Sequence, residues 1–273
     1  MPDDPQSVRT AFIGLGSQGG PIAERMLAAG FPLMVWARRP DVLTPFVEAG
    51  AQAAETIADL GRNADHVGIC VVDDAGVAQI CDALIPSMKK GSLLAIHSTI
   101  QPRSCAVLAD RCAERGIAFV DAPVSGGGGA ATAGTLTVMC GATASDFEQA
   151  RPVFKAFTGL LVHLGAPGAG QRAKIVNNAL MAANMGLAHS ALGAGEVLGI
   201  DRSALAELIK QSSGRSFGFE VYSRLPDPTA FNHGARLLAK DVDLLASILE
   251  SDEGASLLRN TARVFLEQAL ASS

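Results

Sequence analysis

The run Thr10-Ala11-Phe12-Ile13-Gly14-Leu15-Gly16-Ser17-Gln18-Gly19-Gly20-Pro21 decides how the rest of the chain is read. A strand-like apolar stretch from Val8 to Ile13 ends on a G-x-G-x-x-G, and a segment of helical character, Pro21 to Ala29, follows directly. In that context each glycine has its own task. Gly14 permits a tight turn, Gly16 lets a pyrophosphate approach the backbone, and Gly19 lets helix and strand pack closely. The helix start supplies free N–H groups and the positive end of its dipole. The loop Gly14, Leu15, Gly16, Ser17, Gln18 and Gly19 is thus expected to bind a dinucleotide, the alternative being an ordinary glycine-rich turn.

Outward from this loop, short β-branched runs alternate with amphipathic stretches. The runs are Leu33–Trp36, Val67–Val72, Leu93–Ile96 and Ile117–Val120; between them lie helix-like segments such as Ala75–Leu84 and Arg103–Arg115. That alternation specifies a doubly wound parallel sheet of the Rossmann type, an α/β fold. Two later runs, Thr135–Met139 and Leu160–Val162, flank a helical stretch from Ser145 to Phe157 and are expected to extend the same sheet. The breaker cluster Gly165-Ala166-Pro167-Gly168-Ala169-Gly170 closes this region, and everything beyond it reads as helix. The expected organisation is a nucleotide-binding domain over 1–165 and an all-helical domain over 166–273, opened by a long helix. That helix, Gln171 to Leu198, is apolar on most faces and needs cover, from other helices or from a second copy in a homodimer or tetramer.

Composition removes other classes. With 22 basic against 27 acidic residues and no cationic cluster, nucleic acid is not an expected partner. The five cysteines form no C-x-x-C and have no histidine at ligand spacing, so neither disulfides nor a metal is expected. The apolar tract Ala179–Leu198 is interrupted by Asn184, His189, Ser190 and Glu196 and reads as a buried helix rather than a membrane span. The acidic start, Met1 to Pro5, has no signal-peptide pattern, and cytoplasmic residence is the expectation.

At the end of the second run, where a carboxylate would hold the ribose 2′-OH of NAD, the chain reads Trp36-Ala37-Arg38-Arg39-Pro40. Arg38 and Arg39 suit a 2′-phosphate, so NADP is expected as the preferred cofactor with NAD possible; two solvated surface arginines are the alternative. Loops at two further strand ends, Val71-Val72-Asp73-Asp74 and His97-Ser98-Thr99, fall where this fold binds ligands. Gly126 and Gly127, lacking Cβ, suit the approach of an anion to their N–H groups, or else belong to a flexible loop. Lys174 and Asn178 are i, i+4 neighbours on one helix face. An ammonium that protonates a carbonyl oxygen, with an amide orienting the substrate, makes a general acid with its partner; a surface lysine is the plain alternative.

Four blocks together resemble the β-hydroxyacid dehydrogenase family, over nearly the whole chain: Phe12-Ile13-Gly14-Leu15-Gly16, Asp121-Ala122-Pro123-Val124-Ser125-Gly126-Gly127, Gly170-x-x-x-Lys174-x-x-Asn177-Asn178, and Lys240-Asp241-Val242. The resemblance implies hydride transfer between NADP(H) and a short 3-hydroxy acid, semialdehyde or 2-oxo acid. Under it Ser125 with the Gly126 and Gly127 amides holds the substrate carboxylate, Lys174 is the general acid/base, and Lys240 contacts the cofactor. Ser98-Thr99-Ile100-Gln101-Pro102 resembles the family's S-T-x-x-P, which puts Thr99 near the nicotinamide. Departures are Gln18, Ile22, Val72, His97 and Ala130, of which His97, standing for a common aspartate, reads as structural. An imine reductase of the same architecture and a catalytically silent nucleotide-binding module are the rival readings; Lys174 argues against the first.

Overall fold

The computed structural model describes residues 5–249 and 253–271. The chain divides into two compact units, Met1–Lys174 and Ile175–Ser273.

The first unit opens with β1 (Thr10–Ile13), α1 (Gly19–Ala28), β2 (Leu33–Trp36), α2 (Thr44–Glu48), β3 (Gln52–Ala53), α3 (Ile57–Asn63) and β4 (His66–Ile69). It continues through α4 (Asp74–Leu84), β5 (Leu93–Ile96), α5 (Pro102–Ala113) and β6 (Ala118–Asp121). These six strands form one parallel sheet in the order β3-β2-β1-β4-β5-β6, the strand order of a dinucleotide-binding fold, with its topological switch between β1 and β4. β1, β4 and β5 are buried at every position, because helices cover both faces of the sheet. One face packs on a cluster that includes Phe12, Ile22, Met26, Val35, Phe154 and Phe157, the other on Ile13, Leu60, Ile69, Ile80, Leu84 and Cys112.

The chain then forms β7 (Val124–Ser125), α6 (Gly127–Ala133), β8 (Leu136–Cys140), α7 (Ala144–Phe154) and β9 (Thr158–His163). Here the expectation of one extended sheet is corrected. β7, β8 and β9 make a separate three-stranded sheet, with β7 antiparallel to β8 and β9 parallel to it. Pro123 has no N–H to continue a ladder, and among the described residues a single bridge, from Asp121 at the end of β6 to Gly141, joins the two sheets. The chain bends out of the first sheet at that point. β3 and the helices α2 and α3 lie in residues 40–64, to which the sequence reading assigned no element, although Thr56 and Asp59 form a capping box at the start of α3.

Helix α8 (Ala169–Val197) starts in the first unit and runs into the second, where it is joined by α9 (Arg202–Lys210), α10 (Phe217–Tyr222), α11 (Asn232–Ile248) and α12 (Glu253–Leu270). The second unit contains no strand among its described residues. Its core gathers Ala182, Met185, Leu192, Phe219, Tyr222, Leu245 and Phe265. Small residues on α8 make the close contacts: a Cβ on Gly186 would stand 3.0 Å from Phe265, which fixes α12 against α8. Among the described residues no helix is long and apolar enough to cross a membrane.

Candidate active site

The glycine loop has three different environments. Gly14 adopts φ +99°, which disfavours any side chain, and a Cβ there would collide with the Cys70 carbonyl. A Cβ on Gly19 would collide with the Gly14 carbonyl, so α1 can only approach β1 this closely with hydrogen at that position. Gly16 has nothing within 4 Å of where its Cβ would be. Two glycines are therefore demanded by packing, and the middle one leaves open space beside a backbone that leads into a helix start. This arrangement fits a pyrophosphate. Leu15 and Gln18 are half-buried and Ser17 is exposed. A Cβ on Gly128 of α6 would stand 2.9 Å from the Ser17 carbonyl, so the second glycine run packs directly on the first.

Arg38 and Arg39 are both exposed just beyond β2. Arg38 reaches the neighbouring strand end. Its Nη2 lies 3.8 Å from the Cβ position of Gly76, in the first turn of α4, where Asp73 caps the helix by accepting from Gly76 N at 2.8 Å. Val71 and Val72 form the loop between β4 and that cap, half-buried and exposed respectively. Val71 N donates to Ser98 Oγ at 2.7 Å, which ties this loop to the one after β5. Thr99 is half-buried in the latter loop.

His97 is structural. Its Nδ1 lies 2.9 Å from the Ala122 carbonyl, its ring stacks on Phe12 with centroids 5.7 Å apart, and Phe154 and Phe157 meet it edge-on. Burial pushes its pKa down to about 4, and that of His66, buried beside it, down to about 3 with a further push from His97. Both rings are therefore neutral at neutral pH, and His97 keeps the Nδ1 proton that it donates to the Ala122 carbonyl.

Ser125 ends β7 half-buried, and Gly126 and Gly127 both take positive φ, +126° and +70°, a backbone path that favours glycine. Nothing stands within 4 Å of a Cβ on Gly127, so its backbone is open to a ligand. Ala130 leaves the loop intact by sitting inside α6.

Lys174 and Asn178 lie one turn apart on α8, each 8% exposed, which disposes of the surface-lysine alternative. Asn178 Nδ2 donates to Asp241 Oδ2 at 2.6 Å, and Asn177 Nδ2 to Asn178 Oδ1 at 3.3 Å. Asp241 also faces Lys240, Nζ to Oδ1 3.8 Å, on α11. Asn178 and Lys240 thus share one buried carboxylate within the second unit.

The start of α8 is held by two residues that the sequence blocks contain but to which no role was given, Asp121 on β6 and Gln171 on α8 itself. Asp121, the last residue of β6 and wholly buried, accepts from Gly168 N at 2.5 Å and Gln171 N at 2.8 Å. Burial pushes its pKa up to about 6, held back by those N–H donors. Gln171, also wholly buried, accepts from Ile100 N at 3.0 Å and donates to the Ser98 carbonyl at 2.8 Å. One signal for Asp121 was available: an acid set in the apolar run Ile117-Ala118-Phe119-Val120-Asp121-Ala122-Pro123 must be paired, and no capping side chain stands at 166–168. His189, which interrupts the apolar tract of α8, pairs with Tyr222, Nδ1 to Oη 2.7 Å; Phe219 and Tyr222 are core and Phe217 is exposed.

Residues 9–165 match the model of the NAD binding domain of 6-phosphogluconate dehydrogenase. Residues 168–273 match the model described as NAD-binding of NADP-dependent 3-hydroxyisobutyrate dehydrogenase. Mitochondrial 3-hydroxyisobutyrate dehydrogenase of Homo sapiens is 35% identical over 92% of this chain and 78% of its own length. The NAD-dependent L-serine dehydrogenase of Pseudomonas aeruginosa is 36% identical over 96% of this chain and 93% of its own. The structure of Mycobacterium tuberculosis 3-hydroxyisobutyrate dehydrogenase with L-serine superposes with a TM-score of 0.83 at 25% identity, covering 96% of this chain and 95% of that one. Fold, glycine loop and these matches agree: the chain belongs to the β-hydroxyacid dehydrogenase family and is an NAD(P)-binding oxidoreductase of the CH–OH group.

Proposed function

We propose that this enzyme interconverts a short 3-hydroxy acid and its semialdehyde, or a related 2-oxo acid, with NADP(H) as preferred cofactor and Lys174 as the proton-transferring group. The observation that carries the reading is the burial of Lys174 on a helix whose first turn is bonded to the ends of β5 and β6, the edge of the sheet where this fold binds ligands. 3-Hydroxyisobutyrate and L-serine, in the names of the relatives, share a carboxylate and a hydroxyl two carbons from it. Ser125 Oγ and the N–H groups of Gly126 and Gly127 suit the carboxylate, because the glycine backbone can be approached closely.

When bound, the nicotinamide supplies or accepts the hydride. In reduction the Lys174 ammonium donates a proton to the carbonyl oxygen as the carbon becomes tetrahedral; in oxidation the neutral amine takes the hydroxyl proton. Asn178, its amide fixed by Asp241, orients the same oxygen from one helical turn away. Arg38 supports the NADP preference through a charge-assisted contact to a 2′-phosphate. The exposed apolar face of α8 is assigned to a second copy of the chain.

The test follows NADPH and NADH absorbance with a panel of short semialdehydes and oxo acids, wild type beside Lys174→Ala. Turnover with NADPH that collapses in the variant supports the assignment. Tight NADPH binding with no turnover on any member of the panel rejects the substrate class, and turnover retained by Lys174→Ala rejects the role of the lysine.

A further inference from the structure

We infer that Asp121 and Gln171 form a positioning pair that sets the height and phase of Lys174 against the loop carrying Thr99. The inference rests on Lys174 being the proton-transferring group. A helix start needs acceptors for its first N–H groups, and the local sequence Gly165-Ala166-Pro167-Gly168 supplies no side chain to cap α8. The acceptors come instead from 47 and 50 residues away, with one Asp121 oxygen on Gly168 N and the other on Gln171 N. Gln171 then reaches sideways, and its amide brackets Thr99 by bonding the Ser98 carbonyl and the Ile100 N–H. Lys174 follows Gln171 by three residues, close to one helical turn.

Two glycines make this approach possible. A Cβ on Gly170 would stand 2.8 Å from Asp121 Oδ2, and one on Gly141 would collide with the same carboxylate and stand 2.7 Å from Ala169 N. The neighbouring charges on Asp121 are few: Arg172 on α8 favours its ionised form, while the buried thiols Cys105 and Cys140 are pushed up by burial and further by Asp121. Fully buried, bonded through both oxygens and joining the ends of β5 and β6, the pair is more elaborate than a helix cap requires, and every bond leads toward the loop or the turn that carries a reacting-site residue.

Asn in place of Asp121 keeps the shape but offers a single acceptor to two N–H donors, so the first turn must shift; Gln171→Leu removes both bonds to the loop. The expected result for Asp121→Asn and Gln171→Leu is a kcat about 10- to 100-fold below wild type, with KM and the NADPH Kd within about twofold, since a displacement of about 1 Å at a reacting group costs that much. Amide exchange measured by mass spectrometry is expected to rise in peptides covering 166–175 and 97–101 and nowhere else. Wild-type kcat in the folded variants, a loss carried by KM alone, or exchange that is unchanged or raised throughout the chain overturns the inference. If Asp121→Asn does not fold, Gln171→Leu decides on the same criteria. Should wild type turn over nothing, the exchange pattern still decides for or against the clamp, while the proposed function falls separately.

Discussion

Because Trp36 at the end of β2 is followed by Ala37-Arg38-Arg39 and no carboxylate, the proposed NADP preference rests on these guanidinium groups. The two arginines are not equivalent. Arg38 leans toward the first turn of α4, while Arg39 stands at the head of the short turn that begins with Pro40. Arg38→Ala is expected to weaken NADPH binding roughly 10- to 100-fold, the equivalent of one charge-assisted hydrogen bond of about 1.5–3 kcal/mol, and to leave NADH within about threefold. Fluorescence titration of both nucleotides measures this, and equal losses for the two would remove the 2′-phosphate assignment. Lys174→Ala is expected to lower kcat by about 10²- to 10⁴-fold, the usual share of a positioned acid or base, with NADPH affinity unchanged. Arg38, Lys174 and Asn178 were legible in the sequence because a local pattern marks each of them. Asp121 and Asp241 stand inside the quoted blocks and Gln171 next to Gly170, but the partners of all three were not legible. Their bonds span 47 to 73 residues, and no local spacing encodes a partner at such separation.

At the scale of elements, apolar runs bounded by glycines and prolines marked β1, β2, β4, β5 and β6 to within a few residues, since a doubly covered parallel strand has no polar face to blur its limits. The same logic fails beyond β6. The runs at β8 and β9 are just as apolar, and composition does not say which sheet a strand joins; that is settled by the bend at Pro123 and the reversal through β7. β4 and β5 also carry a pH dependence. His66 and the adjoining His97 have folded pKa values near 3 and 4, below the ordinary 6.5. Their contribution is complete above pH 6.5 and is lost as pH falls toward 4. Asp121 runs the other way: with its pKa raised from 3.8 to about 6, its contribution is complete below pH 3.8 and is lost as pH rises through 6. Two groups outweigh one, so stability is expected to drop between pH 7 and pH 4.5 by on the order of a few kcal/mol, because each tenfold change in proton affinity on folding is worth about 1.4 kcal/mol. Urea midpoints measured across that range check it. A midpoint that does not move, or that rises on acidification, contradicts the burial of neutral imidazoles.

At the scale of the whole molecule, α8 presents an exposed apolar face among the described residues. Val176, Leu180 and Leu187 are 48%, 50% and 58% exposed, and Ala191 and Ala194 continue the same stripe at helical spacing. A stripe of that length, about 27 Å at 1.5 Å per residue, is costly to leave in water: fully burying one leucine contributes about 1.5–3 kcal/mol. Isologous pairing lets the same stripe meet itself across a two-fold axis, so one set of residues covers both copies. The expected outcome is a dimer or a tetramer built from it, in sedimentation at micromolar concentration. Leu180→Glu with Leu187→Glu is then expected to yield a monomer, because four carboxylates brought together in an apolar seam repel and lose hydration. The substitutions lie on the exposed side of the helix, away from the buried Lys174 and Asn178, so the far-ultraviolet spectrum should be unchanged. A wild-type chain that sediments only as a monomer would show that this face serves something other than self-association. A double variant that stays dimeric would move the interface elsewhere on the surface.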